Sequence, residues 1–117
     1  MLSQDTLKEL IPLALENVEL DWPYDRSSGK VREIFSLPGD KRVLVATDRL
    51  SAFDRILTAL PYKGQVLNQI SAFWFAKTAD LIPNHLIEVI DPNASLVQGC
   101  ETLPVEVVVR GYITGVT

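Results

Sequence analysis

Three short stretches hold residues whose types and spacing suit chemistry. The first is SGKVREIF, residues 28–35, where Gly29 precedes Lys30 and Arg32. On a strand, residues two apart share a face. Two cations on one face, behind a glycine that lets backbone approach closely, are able to hold a polyphosphate. The same residues also suit a solvated strand start with two surface cations. The spacing is not that of a Walker loop, whose G-x-x-x-x-G-K-[ST] pattern is absent. The second stretch is ATDRLSAFD, residues 46–54. It crowds Asp48, Arg49, Ser51 and Asp54 into one expected loop around Phe53. Asp48 and Ser51 suit local backbone bonding in almost any loop. An apolar Phe53 held between polar groups suits presentation to a ligand. The third is LPVEVVVRGYITG, residues 103–115, where Glu106 and Arg110 stand at the two ends of an expected strand face. Charges on an apolar strand persist when paired or when binding a ligand, so both a structural ion pair and a ligand site fit.

Other reactive types are sparse. His85 is the sole histidine and Cys100 the sole cysteine, so no set with zinc-ligand spacing exists. Cys100 has no basic neighbour in sequence and suits a structural or hinge position better than a nucleophile. Phe73, Trp74 and Phe75 read as core.

The elements that must position these residues follow from periodicity and punctuation. Residues 3–18 read as a helix capped by Ser3, with Asp5 in its first turn. Leu7, Leu10, Ile11 and Leu15 form one face, and Pro12 predicts a kink or two short helices. DWPYDRSSG is a loop. Residues 31–37 and 42–47 read as a hairpin joined at PGDK, whose Pro38 and Gly39 suit a reversal. Residues 67–82 read as the strongest helix, stopped by Pro83. Residues 85–90 form a strand followed by a turn at PNAS. Residues 105–110 read as a strand, central because Val107, Val108 and Val109 run on without a polar break. This order favours an α+β fold with a largely antiparallel sheet and flanking helices. The chain stops soon after that buried-looking strand, so the expectation is the N-terminal portion of a longer protein, with a C-terminal half absent.

The bulk numbers exclude several classes. A chain of 117 residues with 47% hydrophobic and 22% charged residues is one ordinary globular domain. A formal net charge of −4 argues against a nucleic-acid polymer as partner. No apolar run approaches the roughly 20 residues of a membrane span. MLSQDTLKEL has no basic region before an apolar run, so it is not a secretory signal. With a single cysteine, the expected compartment is the cytoplasm.

Four blocks, GKVREIF, VATDRLSAFD, KGQVLNQISAFWF and LPVEVVVRGYITG, occur in the order in which they stand in the phosphoribosylaminoimidazole-succinocarboxamide synthases. The resemblance to these SAICAR synthetases covers residues 29–117. It implies a kinase- or ATP-grasp-like nucleotide-binding sheet domain over about residues 27–117. It also implies an ATP-dependent ligase that joins carboxyaminoimidazole ribonucleotide to L-aspartate, giving SAICAR, ADP and phosphate. A carboxylate is a poor acyl donor until phosphorylated, so cations and Mg²⁺ would be needed to offset the repulsion of the assembled anions.

By resemblance, Gly29, Lys30 and Arg32 form a glycine-containing hairpin over the ATP phosphates. Residues 97–102 form a hinge, where Gln98 and Cys100 offer backbone groups to the adenine edge. Asp54 and Arg110 are candidates for the ribonucleotide, with Lys63 and Asn68 behind them. The family commonly has Ser directly after the TG that ends the fourth block, and here Val116 and Thr117 follow. Either Thr117 supplies the hydroxyl from a loop shifted by one, or the substrate phosphate is held otherwise. The family's D-x-K-x-E-x-G motif would lie beyond residue 117, so no metal ligand is expected in this chain, and these residues alone are expected to be inactive. A homo-oligomer is compatible with all of this. Two other readings stay open: a non-catalytic nucleotide-binding module and an inactive truncated remnant.

Overall fold

The computed structural model describes residues 3–113. Ser3 caps the first helix as its sequence suggests: its Oγ accepts from the Thr6 N–H at 3.1 Å. That helix, α1 (Gln4–Leu10), is shorter than the expected 3–18. Pro12 has no N–H to continue the ladder, and the chain passes into a 3₁₀ turn, Ile11–Leu13, then becomes extended at Ala14. Leu15, beyond it, is spaced to continue the helix face. In the fold Leu15, Val18 and Trp22 belong to an extended segment laid across a sheet, against Phe35, Val45 and Ala94. Burial against the sheet outweighs a weak helical pattern that Pro12 has already broken. The Trp22 ring meets Phe35 edge-on at 5.3 Å, and its indole N–H donates to the Ser36 carbonyl at 2.9 Å.

The sheet has five antiparallel strands in the order β1-β2-β3-β7-β6. They are β1 (Arg26–Ser28), β2 (Arg32–Leu37), β3 (Lys41–Ala46), β6 (Leu86–Asp91) and β7 (Ala94–Gln98). The β2–β3 hairpin turns at PGDK as expected, with Gly39 and Asp40 both at positive φ. β1 and β7 fall where the sequence suggested loop, turn or hinge. Each is short and takes its strand identity from a ladder partner more than from its own side chains. β4 (Arg49–Ala52) and β5 (Arg55–Ala59) make a separate hairpin, whose first strand and turn come from the stretch read as a loop. Its two-residue turn, Phe53–Asp54, sits at φ 51° and 60°, a geometry that matches the twist of the paired strands.

The second sheet face receives α2 (Lys63–Lys77), not the expected 67–82. The helix begins a turn early because its cap is remote: Asp48 Oδ1 accepts from the Gly64 N–H at 2.8 Å. Asp48 Oδ2 also accepts from the Leu15 N–H at 2.9 Å, so one carboxylate ties the extended N-terminal segment to α2. Gly64 is required where the helix meets the sheet, since a Cβ there would lie 2.1 Å from the Ala46 carbonyl oxygen. α2 ends early because Thr78 closes it, with both its N–H and its hydroxyl donating to the Trp74 carbonyl. Phe73 and Trp74, read as core, are exposed.

The expected central strand at residues 105–110 is not formed. Val105 donates to Leu103 in a tight local turn, Val107 is 80% exposed and Val109 92% exposed. A strand exists only where a neighbour completes its ladder, and among the described residues neither sheet edge pairs with this segment. The face that Glu106 and Arg110 were expected to share therefore does not arise. The fold is α+β with a largely antiparallel sheet, as expected.

Candidate functional site

Alternation along the strands decides what lines the site. Glu33 and Phe35 on β2 turn toward the packed N-terminal segment. Arg32 on β2, Leu44 and Ala46 on β3 and Ser95 and Val97 on β7 line the opposite face, toward α2. Between this face and α2 lies a cleft of about 260 Å³. Arg32, Thr47 and Lys63 stand at one end, and Phe75, His85, Leu86 and Val97 at the other. The two ends are set by register. Arg32 lies opposite Ala46, and Val97 opposite Arg42 near the far end of β3. Those positions on β3 are four residues apart, about 13 Å at the usual strand rise. One end is thus cationic and the other apolar, with the Phe75 and His85 rings edge-to-face at 5.2 Å.

The β1–β2 connection, residues 29–31, overhangs the cationic end. The Gly29 N–H donates to the Arg32 carbonyl at 2.7 Å. The Val31 carbonyl accepts from both the N–H and the hydroxyl of Thr47, at 3.0 and 2.9 Å. Lys30, at the apex, is ion-paired with Asp54 on the β4–β5 turn. The hydrogen bond from Lys30 and its charge hold the Asp54 carboxyl below its usual 3.8. The hairpin thus brings together two residues that the sequence assigned to different ligands.

Beneath this connection is a buried ion cluster. The Glu33 side chain is 1% exposed and that of Arg49 8%. Arg49 Nη2 donates to Glu33 Oε1 at 2.9 Å and to the Gly29 carbonyl at 3.1 Å, while its Nε donates to Thr47 Oγ1 at 3.0 Å. Ser28 and Arg26 also reach the Glu33 carboxylate. Sequence reasoning did not single out Glu33 as a site residue. The available signal was its inward position two residues before Phe35, where a charge demands a partner.

The other candidates are scattered. Lys63 lines the cleft. Asn68 lines it as well, but its amide is engaged, donating to the Pro92 carbonyl and accepting from Ser95 Oγ. The Gln98 N–H is committed to the His85 carbonyl and its side chain to the Asp40 carbonyl. The Gln98 carbonyl receives a long 3.6 Å contact from the Cys100 thiol. Cys100 and Arg110 are exposed. Thr117 lies outside the described residues.

The acids nearest the cationic end do not suit Mg²⁺. Asp48 is spent on Gly64 and Leu15, Glu33 on Arg49 and Ser28, and Asp54 on Lys30. Among the described residues, no three of His, Cys, Asp and Glu come together as a cation site.

The SAICAR synthetase family model matches residues 25–117. The chain belongs to the SAICAR synthetase family. A phosphoribosylaminoimidazole-succinocarboxamide synthase from Legionella pneumophila is 52% identical over 108 residues, which is 92% of this chain and 34% of the relative. Among solved structures, a SAICAR synthase from Saccharomyces cerevisiae complexed with SAICAR aligns over 87% of this chain and 42% of its own. Its TM-score is 0.78 and its identity 32%. A type-2 SAICAR synthetase in complex with ADP aligns over 68% of this chain and 35% of its own, with a TM-score of 0.62 and 26% identity. The chain therefore spans about a third of the length of the curated relatives it matches.

Proposed function

We propose that these residues form the nucleotide-binding part of an ATP-dependent SAICAR synthetase, joining carboxyaminoimidazole ribonucleotide to L-aspartate in purine biosynthesis. The observation that carries this reading is the polarised cleft, cationic at Arg32 and Lys63 and apolar at Phe75 and Leu86. The distance between its ends, about 13 Å by strand rise, suits a nucleotide lying along it. The adenine packs at the apolar end, near the Gln98 carbonyl and Cys100. The phosphates lie at the cationic end under Gly29 and Lys30. A phosphate group reaching Lys30 competes with Asp54 for it, and an Asp54 so released faces the second substrate. Arg110 and Thr117 serve the ribonucleotide. Mg²⁺ is held by acids outside the described residues, so residues 1–117 alone release no ADP when given all substrates. The protein works in the cytoplasm.

Calorimetric titration tests the cleft. ADP is expected to bind this chain. Lys63→Ala and Arg32→Ala are each expected to cost about 1.5–3 kcal/mol of ADP affinity, the range for a charged hydrogen bond, while adenosine affinity stays put. Absence of ADP binding to the unaltered chain sinks the nucleotide reading. In the full-length protein, ADP release that needs no aspartate would favour a nucleotide-binding module over a ligase.

A further inference from the structure

We propose that Arg49 is a positioning residue for the glycine-containing loop: one guanidinium fixes the backbone of residues 29–31 and thereby sets where Lys30 is presented. The inference rests on the nucleotide reading only for its consequence in binding, since the loop geometry stands without it.

Residues 29–31 are too short to form a core of their own, so their conformation must be imposed from below. Three groups impose it. Arg49 Nη2 holds the Gly29 carbonyl at 3.1 Å, and Arg49 Nε holds Thr47 Oγ1 at 3.0 Å. The Thr47 hydroxyl in turn donates a hydrogen bond to the Val31 carbonyl at 2.9 Å. Both ends of the loop are thus joined through one side chain and its neighbour. Glu33 keeps the guanidinium in place, accepting from Nη2 at 2.9 Å while Ser28 fills a further lone pair of the same oxygen at 2.8 Å.

A lysine cannot substitute. Its ammonium is a point charge without the planar fork, so it cannot meet Gly29, Glu33 and Thr47 from two separated nitrogens. Burial sharpens the requirement, because a guanidinium this deep is retained only with its acceptors supplied. Arg49 and Glu33 do not line the cleft, although Thr47 does, so Arg49 acts on a ligand through Thr47 and the loop.

The experiment compares the unaltered chain with Arg49→Met and Arg49→Lys. Hydrogen exchange by mass spectrometry reads residues 28–33 against 41–46 and 94–98. In both variants exchange over 28–33 is expected to quicken at least tenfold, with the two reference segments within twofold. Unchanged exchange over 28–33, uniform acceleration of all three segments, or wild-type behaviour of Arg49→Lys would each overturn the proposal. Calorimetry with ATP and with adenosine supplies the second readout. ATP affinity is expected to fall about tenfold in both variants while adenosine affinity stays within twofold. Equal loss for both ligands would mean that Arg49 only holds the fold together. If the unaltered chain binds no ATP, the nucleotide reading falls, and the exchange measurement still decides the loop.

Discussion

Residues 42–46, RVLVA, and residues 105–110, VEVVVR, are near twins in composition and opposite in fate. The first is the middle of the sheet. Val43 and Val45 pair with Phe35 and Glu33 on one side and with Leu96 and Ala94 on the other. The second pairs with nothing in the sheet, and Val107 and Val109 face solvent. β-Branched residues permit a strand without creating one. The ladder and the cover on each face supply the free energy, and only the first segment has both.

The contrast is best broken on its buried side. Phe35 packs under Trp22 beside Val45, so Phe35→Ala is expected to destabilise the chain by about 3–5 kcal/mol. Urea unfolding measures it. A loss below about 1 kcal/mol would mean that this face is not the core.

A matched pair of substitutions sharpens the comparison. Val45→Thr and Val109→Thr change the same atoms in the two settings. The first places a hydroxyl at a buried position and is expected to cost about 1–3 kcal/mol. The second, at an exposed position, is expected to stay within about 0.5 kcal/mol. Similar losses at both positions would show that residues 105–110 are covered after all.

The smallest effect separates a specific surface contact from an unpartnered surface. Lys30 lowers the Asp54 carboxyl below its usual 3.8. A lowered carboxyl contributes stability above its unfolded value and loses it as pH falls through the folded value. The Lys30–Asp54 contact should therefore persist at pH 3.8 and break only in more acidic solution. Following the Asp54 carboxyl carbon by NMR should show the midpoint rising toward 3.8 in Lys30→Met. A midpoint that does not move would mean the pair does not form in solution.

The β2–β3 hairpin was legible because each signal was local: alternating side chains, Pro38-Gly39 at the reversal and a β-branched run behind it. So was the strand after His85. The site was partly legible. Gly29, Lys30 and Arg32 stood out by spacing, and the fold sets Arg32 in the cleft and Lys30 at the loop apex. The β4–β5 hairpin was missed because Phe53 and Asp54 make its turn without glycine, at φ values that L residues seldom adopt. The start of α2 was missed because its cap, Asp48, is donated from another part of the chain.

By itself the sequence determined composition, class and the β2–β3 hairpin that turns at Gly39, since those follow from neighbours in the chain. Tertiary structure alone decided that Leu15 packs on a sheet instead of extending a helix, and that Trp22 joins it there from an expected loop. It alone buried Glu33 against Arg49, and it left residues 105–110 outside both sheets. Each of those outcomes depends on groups far apart in sequence, whose burial and pairing energies exceed any local propensity and are invisible until the chain has closed on itself.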